Sequence, residues 1–346
     1  MTTPTAAASP RVAGPIRLGR NARIAVASVV FLAVFYAFIG PQQFANALTL
    51  GAIYALIALG YTMVYGIIEL INFAHGDVFM TGSFVSMTLL TRIILPVTGL
   101  TAPIRDIVPL LLVLLLVFAL TMPIMGLIGV TIERFAYRPL RNAPRVAPLI
   151  TAIGVSFILQ NLALIIFGPA SVNTPQLIAP ELSVNIADAT VPYINIFIFV
   201  LAIFLMVALN QFVGRTRLGR AMRSTAQDRE AAQLMGVDLN LTIAITFFIG
   251  SALAGAAGVV WGLYLGSVKW DLGFNGGLKA FTAAVLGGIG NTTGATLGGF
   301  VIGFIEVGAA SKGFSRWSEA IVFAALIIVL VFRPAGILGQ QLGERA

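Results

Sequence analysis

Runs of about 20 apolar residues recur along this chain, and their length constrains its fold more than any other feature. A helix of that length rises about 30 Å, which is the thickness of the hydrocarbon core of a bilayer. The runs predict an all-α, polytopic integral membrane protein with about 8–10 transmembrane helices. The predicted spans are Ile24–Ile39, Phe44–Ile67, Val78–Leu95, Ile107–Val130, Ala147–Phe167, Val191–Phe212, Leu241–Leu265, Ala280–Gly308 and Ser318–Phe332.

Composition excludes several classes of chemistry. Hydrophobic residues make up 58% of the 346 residues and charged residues only 10%, whereas a soluble domain is about one quarter charged. The chain has no cysteine, which excludes disulfides, thiolate ligands and cysteine catalysis. His75 is the single histidine, so a metal site would lack nitrogen or sulfur ligands, and no metal is expected.

Charge is distributed in a way that indicates membrane orientation. The net charge is +8, but the arginines lie in short loops between apolar runs, which argues against nucleic-acid binding. The basic segments are the Ala/Pro-rich tail 1–23, Arg134–Arg145 and the loop Gly214–Asn240, while Gly168–Thr190 contains no lysine or arginine. Alternating spans place the three basic segments on one side, which the positive-inside bias makes the cytoplasm.

The N-terminal region also fits a cleaved signal peptide, because arginines precede its apolar run. That run is long, and Gly40-Pro41-Gln42-Gln43 follows it in place of a small-residue cleavage site. We therefore predict an uncleaved first helix with a cytoplasmic N-terminus. The chain divides into a tail of residues 1–23 and a transmembrane domain of residues 24–346 that includes the cytoplasmic loop 214–240.

The stretch Ala280–Gly308 is too long for one straight crossing and is rich in glycine. Two arrangements fit it: two short half-helices that meet at Gly290-Asn291-Thr292, or one kinked crossing. The first is favoured because it returns the C-terminus to the cytoplasm, beside Arg333 at the end of the last span. Non-helical backbone at that depth requires surrounding protein or water, because lipid offers no hydrogen bonds.

The loop Gly214–Asn240 contains a predicted amphipathic helix. Thr225 and Asp228 fit a capped helix start, and Gly236 fits the left-handed position after a helix end. Two groups share faces of this helix: Ala231, Leu234 and Met235 on one, and Arg229, Glu230 and Gln233 on another. Two interpretations remain open on periodicity alone: insertion into the groove of a partner protein, or a helix held by its arginines on lipid headgroups.

The motif Glu230-Ala231-Ala232-x-x-x-Gly236 resembles the EAA loop of permease subunits from bacterial ATP-binding-cassette (ABC) importers, although Thr246 departs from the longer pattern. The stretches Leu48–Gly66, Ile71–Asp77, Lys279–Gly290 and Arg333–Gly339 resemble branched-chain amino-acid permeases in the same order. The resemblance covers about residues 44–339. It implies a non-enzymatic subunit of the inner membrane that works with a second permease, two ATPases and a periplasmic binding protein. It also implies that the ATPase docks on the EAA loop, and no cofactor is expected in the chain.

Several polar residues interrupt the apolar pattern near the predicted path of the cargo. Polar groups and Gly76 break the run before residue 78, and Asn72 or Asp77 is expected to cap a new helix start. The candidates for the translocation path are Asn72, His75, Gly76, Asp77 and Asn291. A proton relay through His75 with Asp77 or Glu306 is the alternative to a structural turn. No catalytic residues are expected, because the chain offers no nucleophile with an organised base.

Small residues recur every four positions through the seventh span, at Gly250, Ala254, Gly258, Gly262 and Gly266. This stripe predicts close helix packing within the chain or against a partner permease, with lining of the path as the alternative. Lys279 is interpreted as an anchor at the membrane interface in preference to a ligand contact.

The sequence therefore predicts the permease subunit of an ATP-driven importer for branched-chain or other apolar amino acids. A urea or short-amide permease is the nearest alternative, and the sequence does not distinguish these cargoes. An ion- or proton-coupled carrier without an ATPase and a scaffold subunit are the alternatives from other classes. The pathway residues, the helix count and the identity of the second permease also stay open.

Overall fold

The computed structural model describes residues 32–70, 72–141, 143–144, 146–179, 181–186 and 188–339. These residues contain eleven helices that we number α1–α11, one further helical segment before α1, and four short strands. Residues 32–39 are also helical, and the predicted tail and most of the predicted first span lie outside these residues. The helices are α1 (Pro41–Ile68), α2 (His75–Thr98), α3 (Ile107–Leu140), α4 (Val146–Phe167), α5 (Tyr193–Arg215), α6 (Arg217–Gln227), α7 (Arg229–Leu234), α8 (Leu239–Leu265), α9 (Leu272–Gly287), α10 (Thr292–Ser311) and α11 (Ser315–Phe332). The strands are β1 (Val172–Asn173), β2 (Ser183–Ile186), β3 (Ala189–Pro192) and β4 (Ser267–Val268).

Eight of these helices are long and apolar enough to cross a membrane: α1, α2, α3, α4, α5, α8, α10 and α11. The prediction of an all-α polytopic membrane protein is therefore confirmed. The predicted spans from Phe44 onward match these helices with small shifts at their ends, with two exceptions: α3 continues to Leu140, beyond the predicted end at Val130, and Ala280–Gly308 contains the second half of α9 and most of α10. The strands form two antiparallel pairs, β1 with β4 and β2 with β3. Both pairs lie in the loops at the end of the bundle opposite α6 and α7.

Helix α1 is the most enclosed of the eight spans, and glycines let its neighbours approach its backbone. A Cβ atom added to Gly299 of α10 would lie 2.4 Å from the amide nitrogen of Ala55, and one added to Gly303 would lie 2.4 Å from that of Gly51. By contrast, α3, α4, α5 and α11 leave long apolar side chains exposed on their outer faces. Those faces suit lipid or another membrane protein, while α1 forms the centre of the core.

The glycine-rich stretch Ala280–Gly308 contains a true break. Helix α9 ends at Gly287, and α10 begins at Thr292 and runs back beside α9. Gly288 and Gly290 take positive φ angles of 109° and 87° in the turn, a region open to glycine. The break confirms two helices over one kinked crossing, although α10 is long enough for a full span.

The C-terminal residues 333–339 fold back onto the end of α9. The amides of Ile337 and Leu338 donate to the carbonyls of Leu286 and Gly287, at 2.9 and 3.0 Å. These carbonyls belong to the last turn of α9, where helical partners run out. The motif Arg333–Gly339, noticed in the sequence, therefore closes the end of a broken helix.

A second break separates α1 from α2. Glu69 ends α1 in the left-handed conformation with φ 56°. The chain then turns back, because His75 at the start of α2 touches Gly60, about two helical turns before the end of α1. The predicted break is present, but neither Asn72 nor Asp77 caps the new helix: its N-cap residue is Ala74, which makes no side-chain cap.

Candidate functional sites: an exposed short helix and a buried polar centre

The loop Gly214–Asn240 contains two helices, α6 and α7, where one longer helix was predicted from Thr225. Thr225 lies inside α6, and its hydroxyl donates to the carbonyl of Ala221 at 2.8 Å. Asp228 is the cap of α7, because its carboxylate accepts a hydrogen bond from the amide of Ala231 at 3.0 Å. The prediction of Thr225 as a cap is wrong. The α6 helix already satisfies its hydroxyl, and extended backbone at Asp228 separates the two helices.

Gly236 ends α7 as the spacing predicts. Its φ angle is 85°, its amide donates to the carbonyl of Gln233, and the amide of Val237 donates to the carbonyl of Ala232. This pair of hydrogen bonds defines the Schellman motif, in which a left-handed glycine stops a helix. Helix α7 is therefore only six residues long but is fixed at both ends.

The side chains of α7 are arranged for contact outside the chain. Ala232 is buried, whereas Leu234 and Met235 are 88% and 84% exposed. Glu230 and Ala231 are also exposed. Two large apolar side chains held in solvent by a short, capped helix are unfavourable alone and indicate a surface that another molecule covers.

Polar contacts tie this loop to the spanning helices. The Arg229 guanidinium donates to the carbonyl of Ile68, the last residue of α1. The Arg141 guanidinium donates to Asn240 near the start of α8, at 2.6 Å, and also to Glu133 in α3. Arg141 belongs to one predicted basic segment and Asn240 to another, so this hydrogen bond puts both segments at the same end of the bundle.

A cleft of about 450 Å³ separates α7 from the ends of α1, α3 and α4. Its lining carries Glu69 and Leu70 on the membrane-domain side, and Asp228, Arg229 and Glu230 on the side of α7. Space for a small displacement of α7 is therefore built into this end of the protein.

The second site, which we call the polar centre, lies where α2 begins inside the bundle. Asn72 is buried and its amide oxygen accepts a hydrogen bond from the Tyr137 hydroxyl at 2.8 Å. The buried ring of His75 packs on Tyr61, with ring centroids 4.6 Å apart. Gly76 lies directly against α9, since a Cβ atom there would be 2.3 Å from the carbonyl oxygen of Gly273.

Asp77 is the charged member of the polar centre. One carboxylate oxygen accepts a hydrogen bond from the hydroxyl of Ser156 in α4, and Gln160 donates to that hydroxyl at 3.2 Å. The other oxygen has no hydrogen-bond partner among the described residues and faces Gly273, in the first turn of α9. A carboxylate in this position is favoured by the positive end of the α9 dipole. The structure therefore brings Asn72, His75, Gly76 and Asp77 together in one buried cluster.

Asn291, the remaining path candidate, lies away from this cluster. It caps α10 through a hydrogen bond from the amide of Gly294, and its side-chain amide donates to the carbonyl of Leu338, both at 3.0 Å. These contacts join the turn between α9 and α10 to the C-terminal segment. Asn291 therefore stabilises the structure at the end of the bundle that carries α6 and α7.

Lys279 occupies a buried ion pair, so its interpretation as an interfacial anchor is wrong. Its ammonium lies 2.8 Å from Glu306 in α10 and 3.4 Å from Glu319 in α11. The Tyr54 hydroxyl donates to the other oxygen of Glu306 at 2.8 Å. Sequence reasoning missed this cluster, although a lysine and a glutamate inside apolar segments are a signal that each requires a partner.

The small-residue stripe of α8 packs mainly within the chain. A Cβ atom added to Gly250 would lie 3.1 Å from the carbonyl oxygen of Gly60, and one added to Gly258 would lie 2.5 Å from the amide of Ser83. Ala254 is fully buried, and Gly262 faces Thr174 in the outer loop. Gly266 differs from the prediction: it ends α8 in the left-handed conformation with φ 67°.

Comparison with known proteins assigns the chain to a family. Residues 43–331 match the family described as "Branched-chain amino acid transport system / permease component". The chain belongs to this family. The family comprises transport permeases, so the chain is a multi-pass membrane permease component and not an enzyme.

Two permeases for branched-chain amino acids match the chain over nearly their whole length, and a permease for another cargo matches it less completely. The high-affinity branched-chain amino acid transport system permease protein BraD of Pseudomonas aeruginosa is 44% identical over 309 residues, which are 88% of this chain and 97% of BraD. The corresponding permease LivH of Escherichia coli K12 is 41% identical over 307 residues, with the same coverage. The autoinducer 2 import system permease LsrD of Salmonella paratyphi B is 28% identical over 66% of this chain and 72% of LsrD. No solved structure shows significant similarity to the chain.

Proposed function

We propose that this permease carries branched-chain or other apolar amino acids across the bacterial inner membrane, powered by a partner ABC ATPase. Its N-terminus and the loop with α7 face the cytoplasm. A second permease, two ATPase subunits and a periplasmic binding protein complete the importer. The cargo follows the names of BraD and LivH, and the more distant LsrD, named for a different cargo, shows why the cargo requires its own test.

The observation that carries the ATPase partnership is the geometry of α7. A capped six-residue helix displays Leu234 and Met235 almost fully exposed beside the acidic Glu230, at the end of the bundle where the arginines concentrate. An amphipathic helix of this kind inserts its apolar side chains into a groove of a protein partner. Arg229, the arginine of α7 itself, does not point outward with Leu234 and Met235, because its guanidinium turns back to α1.

The mechanism follows from the position of α7 at the end of the spans. ATP-driven closure of the ATPases displaces α7, and the spanning helices then rock between outward-facing and inward-facing arrangements. In the structure the polar centre is closed, since Gly76 and Gly277 touch. A cargo path along α2 and α9 requires these helices to separate there.

The test replaces Glu230 by lysine in the complete importer. Glu230→Lys reverses an exposed charge on α7 and is expected to abolish co-purification of the ATPase, while the permease still inserts and purifies with the second permease. Glu181→Lys makes the same charge change in an exposed loop at the opposite end and serves as the control. Co-purification of Glu230→Lys with its ATPase at wild-type yield would contradict the proposed role of α7.

The cargo is tested separately by uptake in proteoliposomes that contain the complete importer. Labelled leucine, isoleucine and valine are expected to accumulate only with ATP and the binding protein. Transport of urea or a short amide in their place would assign the alternative cargo. Uptake that stops with an uncoupler while ATP is maintained would instead support an ion-coupled carrier.

A further inference from the structure

Arg229 differs from its neighbours in α7 because it points toward the membrane domain. Glu230, Ala231, Leu234 and Met235 are exposed, whereas Arg229 is partly buried and its guanidinium binds the carbonyl of Ile68. That carbonyl is in the last turn of α1, where it has no helical partner. A guanidinium is suited to this position, because cations stabilise the negative end of a helix dipole.

Ile68 is the residue at which α1 stops and the chain turns back to the polar centre. Glu69 is left-handed, and α2 starts at His75, beside Gly60. Only six residues separate the carbonyl that Arg229 holds from the first residue of α2. A displacement of Ile68 would therefore act on the neighbouring Glu69 and Leu70, and the short connection brings the start of α2 within its reach.

A second chain of contacts reaches the same segment from the other end of the loop. Asn240 near the start of α8 binds Arg141, and Arg141 binds the fully buried Glu133. Glu133 lies in the π-helical turn of α3 that ends at Tyr137. Tyr137 in turn donates its hydroxyl to Asn72. The segment 69–74 is thus attached to both ends of the part of the chain that carries α7.

The cleft supplies the space that a movement needs. It lies between α7 and the residues Ile67–Leu70, and its volume is about 450 Å³. Helix α7 buries only Ala232, so little apolar packing opposes a shift. The Arg229 hydrogen bond crosses from α7 to this edge of the cleft, where it links the two sides.

We propose that Arg229 is a positioning residue that carries the movement of α7 to the break between α1 and α2, and that it does not serve as an ATPase contact. This inference rests on the proposed docking of an ATPase on α7. The two are separable, because loss of Glu230 removes the ATPase whereas loss of Arg229 leaves the ATPase bound and disconnects it from transport.

The first experiment compares Arg229→Met with Arg229→Lys in the complete importer. Arg229→Met keeps the length of the side chain but removes every donor. It is expected to co-purify with the ATPase at wild-type yield and to hydrolyse ATP, while amino-acid uptake falls about tenfold. Arg229→Lys retains a cationic donor and is expected to recover a large part of the uptake. Arg223→Met is the control, because exposed Arg223 binds Gly214 within the same loop, and its uptake is expected to stay near wild type.

The second experiment measures the movement directly. Since the chain has no cysteine, Leu70→Cys provides a unique site for a spin label on the membrane-domain wall of the cleft. When Arg229 is unchanged, the mobility of the label is expected to differ between the nucleotide-free importer and the vanadate-trapped importer. The difference is expected to disappear in Arg229→Met with the ATPase still bound.

Each outcome decides the inference. If the ATPase fails to co-purify with Arg229→Met, as it is expected to fail with Glu230→Lys, then Arg229 is a docking residue and the inference is overturned. Wild-type uptake in Arg229→Met, or an unchanged nucleotide response of the label, would overturn it as well. If Glu230→Lys retains the ATPase while Arg229→Met loses uptake, the docking proposal fails and the link between Arg229 and transport stands on its own.

Discussion

The helix α7 and the polar centre both depend on polar side chains, but α7 holds apolar side chains in solvent whereas the polar centre holds polar side chains inside the protein. In α7, Asp228 and Gly236 fix a short helix so that apolar side chains can stay in solvent. In the polar centre, Asn72 and Asp77 are held by side chains from α3 and α4 and are removed from solvent. The cap residue of α7 binds the backbone of its own helix. The polar side chains of the polar centre instead form hydrogen bonds between separate helices.

Packing differs in the same way. No heavy atom lies within 4 Å of a Cβ atom added to Gly236, whereas such an atom on Gly76 meets the backbone of α9 at 2.3 Å. Substitution in the polar centre should therefore damage the bundle or the transport step, whereas substitution of the cap or of the exposed side chains of α7 should damage the partnership. Variants in the polar centre, in the ion pair of Lys279 and in α7 are therefore expected to differ in kind and in size of effect.

The largest effect is expected for Gly76→Val. The new side chain would collide with the carbonyl of Gly273 and the Cα atom of Gly277, and backbone atoms in a packed core cannot yield easily. We expect loss of folded permease, measured as monodisperse protein after detergent extraction. Gly154→Val is the matched control, because no atom outside its own helix lies near Gly154 in α4. Normal yield for Gly76→Val would show that α2 and α9 are not closely packed in the membrane.

Lys279→Met is expected to lower stability by up to about 3 kcal/mol, because it leaves the partly buried Glu306 without its cation. The measurement is the equilibrium unfolding of purified permease in mixed micelles. The double variant Lys279→Met/Glu306→Gln is expected to be more stable than Lys279→Met alone, since it removes the uncompensated charge. Lys269→Met is the control: it breaks an exposed pair with Asp271, which contributes about 0–1 kcal/mol. If Lys279→Met and Lys269→Met lose the same free energy of unfolding, then Lys279 is exposed to water and its ion pair is not shielded by the protein.

Asp77→Leu is expected to reduce uptake about tenfold or more while the ATPase still co-purifies, because it leaves the buried Ser156 hydroxyl without its acceptor. Asp77→Asn keeps an oxygen for Ser156 and is expected to retain more uptake than Asp77→Leu. Asp106→Leu, at an exposed position outside the bundle core, is the control. Loss of ATPase binding in Asp77→Leu would break the separation between the two regions.

The sequence predicts the fold well because the bilayer imposes a strong length requirement. Each span must be apolar over about 20 residues, so hydropathy alone locates helices such as α4 to within a residue or two. The breaks at residues 69–74 and 288–291 are also visible, since polar and glycine residues interrupt apolar runs there. Both signals depend on residues that are close together in the chain, so a single sequence is enough to locate the spans and the breaks.

The sites are less predictable because their contacts are long-range. Lys279 and Glu306 are 27 positions apart, and Asp77 and Ser156 are 79 apart; nothing local indicates either pair. The error at Thr225 has a different cause. Thr225 and Asp228 are both good cap residues, and α6, which ends between them, decides which one acts. Only the structure of the whole loop separates the two.

The smallest effect is expected for Asp228→Ala, which removes the cap of α7. A lost cap costs about 1 kcal/mol, and in a six-residue helix this is enough to increase fraying at the docking surface. Co-purification of the ATPase is therefore expected to weaken several-fold, while the thermal midpoint of the permease itself stays unchanged. Asp228→Ser supplies a neutral hydroxyl that can cap the same amide and is expected to restore binding. If Asp228→Ser weakens co-purification of the ATPase as much as Asp228→Ala, then the charge of Asp228 contacts the ATPase directly. In that case α7 binds through a salt bridge more than through its fixed shape.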